Sequence, residues 1–260
     1  MTANDPVSPP DADFYSQGWE QEWGTMRRLS PMARHTRRWI FKVMERAGSF
    51  DSVVDFGAGD GNLLQEVQRR FPKVALYGTD FAESSVARCR KRLPTAQVVQ
   101  HDLRMEHNPF GKVLDLGICS EVIEHIDRHQ EAVRHMGQWC RRLILTVPGG
   151  ELDEMARNMG HLRHYDETGL CSLVTGEGLK VLYSRTWGWP LAYPWYARLR
   201  NRAGYDQVIG TYGPGKRLAT YLLYALFFGN DLFSGGNKIF LLLESPACAA
   251  DAGPIRNTGH

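Results

Sequence analysis

The sequence predicts an α/β fold built on a doubly wound, mostly parallel sheet. Three observations predict it. From residue 50 onward, short β-rich runs alternate with segments of helical apolar spacing. A glycine-rich turn joins the first such strand to the helix after it, and strand–helix–strand repeats of this kind close by right-handed crossovers. The chain has 260 residues, with 43% hydrophobic and 23% charged. These are globular proportions, which exclude a wholly disordered, collagen-like or coiled-coil chain.

The elements follow in order. Residues 1–13, rich in Pro and Asp, read as a disordered tail. Residues 14–48 read as a helical cap. In it Ser30 caps a helix from Pro31 to Ala47, Gly48 fits just past its end, and Arg34, Arg37 and Arg38 form a basic outer face. Ser52–Phe56 is the first strand. Residues 60–71 form a helix with Leu63, Leu64, Val67 and Phe71 on one side. Val74–Tyr77 is the second strand and 83–92 the second helix. Gln97–Val99 and Val113–Cys119 are the third and fourth strands. Residues 128–140 are helical, and Arg142–Val147 is the fifth strand, closed by Pro148-Gly149-Gly150. A helix over 166–175 and strands over 179–186 and 238–243 complete the core, taken as 49–187 plus 238–246. Residues 188–237 read as an insertion and 247–260 as a flexible tail.

Charge and cysteine usage narrow the classes. Lys and Arg number 31 against 29 Asp and Glu, a formal net charge of +2, so no global field favours nucleic acid. Five cysteines without a C-x-x-C pair argue against a disulfide scaffold or zinc knuckle and suit a reducing cytoplasm. The N-terminus has no signal-peptide pattern. The most apolar run, Leu218–Phe228, has 11 residues, whereas a bilayer span needs about 20.

The strongest local signal is Val53-Val54-Asp55-Phe56-Gly57-Ala58-Gly59-Asp60-Gly61-Asn62. A dinucleotide-binding G-x-G-x-x-G would need glycine at 62, and no G-K-[ST] follows for a Walker loop. The pattern Asp55-x-Gly57-x-Gly59-x-Gly61 instead resembles the first motif of class I S-adenosylmethionine (AdoMet)-dependent methyltransferases. Three further features stand in that family's order. They are Asp80-Phe81 after the second strand, His101-Asp102-Leu103 after the third, and Cys119-Ser120-Glu121-Val122-Ile123-Glu124-His125 after the fourth. The resemblance covers residues 50–186 plus the last strand, and is similar to bacterial ubiquinone-type O-methyltransferases.

It implies a Rossmann-like seven-stranded sheet whose last strand is antiparallel, and AdoMet as methyl donor. Backbone at Gly57, Ala58, Gly59 and Gly61 would wrap the amino-acid part of the donor, and Asp55 would place a negative charge near its ammonium through water. Asp80 would hold the ribose hydroxyls, Phe81 would pack on adenine, and Asp102 with Leu103 would border the base. Cys119 and Ser120 would border the methionyl group, and Tyr15 and Trp19 would fold over the donor.

The catalytic candidates follow the fourth strand, where strand C-termini face the ligand crevice. Glu121, Glu124 and His125 share one face if that stretch is a helical turn. With His161 they resemble the E-x-x-E-H-plus-distant-His metal site of small-RNA 2′-O-methyltransferases. That would hold Mg2+ or another divalent cation at Glu121, Glu124, His125 and His161. Without a metal, His125, His161 or His164 would serve as general base, and each equally suits a purely structural role.

The insertion contains Trp187, Trp189, Tyr193, Trp195 and Tyr196, then an apolar helix over 217–228. That helix is apolar on nearly every side, which predicts burial. The segment reads as an aromatic lid over a small-molecule or lipid-like acceptor. It also suits peripheral membrane docking, or a subdomain that thickens the core of a monomer or homodimer. The reaction predicted is methyl transfer to an acceptor oxygen. The alternatives are a small-RNA 2′-O-methyltransferase, which the weak net charge disfavours, and an AdoMet-binding protein without turnover.

Overall fold

The computed structural model describes residues 11, 13–14, 23–204 and 211–246. The C-terminal tail, most of the tail 1–13, Tyr15 and Trp19 lie outside the described residues. Helices α1 (Trp23–Leu29) and α2 (Pro31–Arg46) precede the sheet. Ser30 caps α2 by accepting the Ala33 N–H at 3.2 Å, and Pro31 occupies the first turn, where no backbone donor is missed.

The core then alternates as the sequence predicts, with shifts of one to three residues at most element ends. Strand β1 (Ser52–Phe56), α3 (Asn62–Arg70), β2 (Ala75–Asp80), α4 (Glu83–Arg92) and β3 (Gln97–Gln100) form the first half. Strand β4 (Leu114–Ser120), α5 (His129–Trp139) and β5 (Cys140–Pro148) follow. The short α6 (Glu154–Asn158) and α7 (Glu167–Gly176) lead to β6 (Lys180–Trp187). The inserted segment carries α8 (Ala197–Ala203) and α9 (Pro214–Leu226) before β7 (Lys238–Glu244).

The seven strands form one sheet in the order β3-β2-β1-β4-β5-β7-β6. Strands β1 to β5 pair in parallel, and β7 runs antiparallel to both β5 and β6. Strand alternation splits the core in two. Val53, Leu116, Ile118, Ile144, Phe240 and Leu242 face the cluster that α2 closes with Trp39, Ile40 and Met44. Val54, Phe56, Leu143, Leu145, Leu241 and Leu243 face the cluster under α5 and α7. Strand order reverses between β1 and β4, so a crevice opens beyond their carboxyl ends.

The basic residues Arg34, Arg37 and Arg38 of α2 are half-buried and engaged. Arg37 pairs with Glu66 at 2.7 Å, and Arg38 grips Asp231 through both guanidinium nitrogens at 2.6 and 2.7 Å. Asp231 also accepts from the Trp187 indole at 2.9 Å, so these contacts lock the insertion onto the cap. The expectation that fails is full burial of the insertion's apolar helix: Phe227 is buried and Leu223 packs on the core, but Leu218, Tyr221, Leu222 and Leu226 are exposed. In α9 only Thr220 is buried. Apolar spacing declares which face shuns water, but not what covers it.

Candidate active site

One cavity of about 810 Å³ opens at the carboxyl ends of the central strands. Asp55, Asp80, Ser120 and Pro148 line it from the ends of β1, β2, β4 and β5. The glycine turn hugs β2. Gly57 N and Ala58 N both donate to Thr79 O, at 2.9 and 2.8 Å, and Gly59 N donates to Asp80 Oδ2 at 2.8 Å. Gly57 has φ +79°, and a Cβ there would lie 2.4 Å from Val122 Cγ2. Gly61 has φ +78°, with a Cβ only 2.7 Å from Cys89 Sγ. Only glycine satisfies both the left-handed backbone and the close approach.

Asp55 is fully buried. Burial, aided by the nearby Asp80 charge, pushes its carboxyl up to about 7. Asp80 is also raised by burial, against hydrogen bonds from Ala82 N and Gly59 N. Phe81 and Leu103 line the cavity beside Asp80. Asp102 lies there too, but Arg104 clasps its carboxylate at 2.6 to 3.0 Å, and the same guanidinium stands 5.9 Å from the Phe81 ring centroid. Burial opposes ionisation of Asp102, but the Arg104 contacts prevail and hold it below the usual carboxylate range. Among the described residues, Gly59, Gly61 and Cys119 shape the turn and strand rather than line the cavity.

The stretch after β4 is not one helical turn. Glu121 adopts left-handed backbone at φ +59°, and a 3-10 turn covers only Ile123–His125. The three side chains therefore do not share a face. Glu121 turns to Lys238 at the start of β7, with which it forms an ion pair. Glu124 is fully buried, and neither of its carboxylate oxygens has a hydrogen-bond partner. Burial, with the Glu121 charge adding to it, holds Glu124 well above the ordinary carboxylate range.

His125 Nδ1 lies 3.0 Å from Gly160 O, and His161 Nδ1 lies 3.0 Å from His164 Nε2. The first contact makes Nδ1 of His125 the donor and leaves Nε2 as a lone pair. One potential ligand atom from each of Glu124, His125 and His161 falls within 4.8 Å of the others. Burial lowers His125 to about 4, and lowers His161 further with help from the neighbouring imidazoles. His164 is also lowered, chiefly by burial. Neutral imidazoles are the ligating form. A base titrating near 4 is poorly matched to work near pH 7.

The structure thus brings together Glu124, His125 and His161 of the four proposed metal ligands, and places His164 behind His161. It draws Glu121 away to Lys238. The insertion contributes Tyr193, Tyr196, Arg198 and Arg200 to the wall. Of its tryptophans, Trp187 is core, while Trp189 and Trp195 face solvent. Sequence reasoning missed Lys238, Arg104 and Arg27 as wall residues. Only Arg104 carried a local signal, two residues from Asp102.

Residues 28–186 match the family model of a methyltransferase domain. Trans-aconitate 2-methyltransferase of Acidovorax sp. (strain JS42) is 32% identical over 113 residues, which is 43% of this chain and 41% of that protein. The chain therefore spans less than half of that relative. Among solved structures, the [4+2]-cyclase SpnF superposes with a TM-score of 0.60 at 14% identity, covering 93% of this chain and 99% of that one. N-methyltransferase NodS from Bradyrhizobium japonicum WM9, in complex with S-adenosyl-L-homocysteine, gives a TM-score of 0.56 at 13% identity, covering 90% and 100%. These two likenesses show the fold, and a fold alone does not select a reaction. The family match covers more than half of the sequence and includes the glycine turn and every strand from β1 to β5: the chain belongs to the methyltransferase-domain family, with the class I, AdoMet-dependent architecture.

Proposed function

We propose that this chain transfers the methyl group of AdoMet to an oxygen of a small-molecule or lipid-like acceptor. The observation that carries the reading is one cavity lined both by buried Asp55 and half-buried Asp80 beside the glycine turn and by His125 and His161, with buried Glu124 against them.

The donor end fits a cationic ligand. Asp55 and Asp80 are buried close enough for the charge of one to raise the other, and a bound ammonium and sulfonium would relieve that repulsion. Backbone at Gly57 and Ala58 would hold the amino-acid part of the donor, and Asp80 and Phe81 its ribose and base. When bound, AdoMet supplies an electrophilic methyl whose C–S bond breaks as the acceptor oxygen's lone pair forms the C–O bond, leaving S-adenosylhomocysteine. The protein's part is to hold both partners in line and exclude water. Tyr193 and Tyr196 of the insertion cover that space.

The acceptor end fits a divalent cation. Glu124 is a buried carboxylate without a partner, and two neutral imidazoles converge on it. Glu124, His125 and His161 would hold such a cation, which would polarise an acceptor hydroxyl and lower its pKa. A second reading is a carboxylic acid acceptor, whose ionised oxygen needs no base. Arg27, Arg198, Arg200 and Lys238 on the wall favour it, and so does the similarity to trans-aconitate methyltransferases.

The test is titration calorimetry with AdoMet. The parent chain binds it and does not bind NADH, and Asp80→Ala weakens binding by at least about tenfold, ~1.4 kcal/mol. Unchanged affinity in that variant, or binding of NADH in place of AdoMet, defeats the assignment.

A further inference from the structure

The insertion carries a surface that neither the cavity nor the core uses. In α9, Leu218, Tyr221, Leu222, Ala225 and Leu226 recur at helical spacing along one stripe, and all five are exposed. Leu218 and Leu222 show 62% and 63% of their surface, and Tyr221 shows 51%. Past the helix, Leu232 is 83% exposed. Trp189 and Phe233, packed edge to face at 5.0 Å, are half-exposed beside it. An exposed apolar stripe along a whole helix is uncommon on a monomer's surface and marks an interaction site.

The charge around this face identifies its partner. Helix α9 has Lys216 and Arg217 near its start and no acidic residue in its first turn. Residues 188–237 hold five basic residues against two acidic ones; Lys216 and Arg217 belong to α9, whereas Arg198 and Arg200 line the cavity. One of the two acids, Asp231, is already engaged by Arg38 and Lys42. From the cap, the Arg34 guanidinium lies 4.8 Å from the Tyr221 ring centroid and 3.6 Å from that of Tyr224. An apolar stripe with a basic rim and aromatic flanks complements an anionic lipid leaflet. It suits a second copy poorly, because a two-fold contact sets this same patch against itself and brings like charges together.

We propose that α9 and the turn after it seat the protein on an anionic membrane surface. The helix lies in the interface plane with the Leu218–Leu222–Leu226 stripe toward the acyl region. No helix among the described residues is long and apolar enough to cross the bilayer. The same insertion supplies Tyr193, Tyr196 and Arg200 to the cavity wall. This inference goes beyond the methyl-transfer reading, and its test does not depend on AdoMet.

The whole chain is co-sedimented with vesicles of phosphatidylcholine alone and with vesicles containing about 30% phosphatidylglycerol. The bound fraction is expected to be at least about threefold higher on the anionic vesicles and to fall as salt is added. Leu218→Glu with Leu222→Glu is expected to lower it at least about fivefold, and Leu232→Glu about twofold. Because these side chains are exposed, melting temperatures stay within about 2 °C of the parent. Equal binding of the double variant, or a parent that stays in the supernatant with both vesicles, overturns the proposal. A parent dimer that becomes monomeric in the double variant, with no vesicle binding by either, assigns the face to a second copy and also overturns it.

Discussion

The two ends of the cavity are built in opposite ways. The donor end comes from one short stretch, residues 55–61, braced by the end of the adjacent strand. Its geometry is a backbone geometry, set by glycine φ angles and by amides that donate to Thr79 and Asp80. The acceptor end is assembled from side chains far apart in sequence. Glu121 meets Lys238 across 117 positions, and His125 meets Gly160 across 35. Turn geometry is local, so the donor end tolerates change elsewhere. The acceptor end exists only when β4, β7, the segment around His161 and the insertion are all in place.

Both ends also hold carboxyl groups whose ionisation burial opposes, with different consequences. At the donor end Asp55 and Asp80 repel each other at a place where a cationic ligand would bind. At the acceptor end Glu124 has two neutral imidazoles beside it and no hydrogen bond. Three measurements sharpen this comparison. The largest effect is expected at Glu124. Elemental analysis of the parent finds close to one divalent cation per chain, and Glu124→Ala loses it, while donor affinity holds within about twofold. Chelation is expected to lower the parent's melting temperature and to leave the variant unmoved. A parent without bound cation, unchanged by EDTA, removes the cation from the acceptor end.

Next in size is a pH effect confined to the donor end. The Asp55 pKa in the folded chain is about 7, against 3.8 for an ordinary carboxyl. Between those values the folded chain keeps a proton that the unfolded chain has released. Through this group, stability therefore declines as pH rises from about 4 to 7 and is level above. Binding of a cation follows the ionised form, so AdoMet affinity is expected to rise by up to about tenfold between pH 6 and 8. Asp55→Asn is expected to flatten that rise, and an unaltered slope in this variant removes Asp55 from the donor site.

The smallest effect on donor affinity is expected from Lys238→Met. It strips Glu121 of its partner and leaves a largely buried carboxylate uncompensated. The cost is about 2–3 kcal/mol, seen as a lower denaturation midpoint. Donor affinity is expected to change by less than about twofold. A tenfold loss of donor affinity here would show that the two ends are coupled and would break the comparison.

The legible parts of the molecule follow the same division. Short β-rich runs located the strands, because a central strand covered on both faces is apolar nearly throughout. Glycines at 57, 59 and 61 announced a turn of close backbone approach, and the left-handed angles found there are ones glycine adopts without strain. Ser30 and Pro31 marked the start of α2 for a similarly local reason. The stretch after β4 was misread. Its residue spacing suits a helix, but β4 extends through Ser120 and Glu121 turns left-handed to reach Lys238. The apolar helix of the insertion was misplaced in the same way. Its composition demanded a partner, and nothing in the chain's linear order shows that the fold would leave it facing out.

The linear sequence by itself determined the α/β alternation and the glycine turn, because each rests on interactions within a few residues or on runs of β-rich and helical spacing. Tertiary structure alone decided that Lys238 takes Glu121, that Glu124 joins His125 and His161, and that α9 leaves one apolar face exposed. Those outcomes depend on which distant surfaces the closed sheet brings within a few ångströms, and long-range Coulomb and packing terms have no signature in local order.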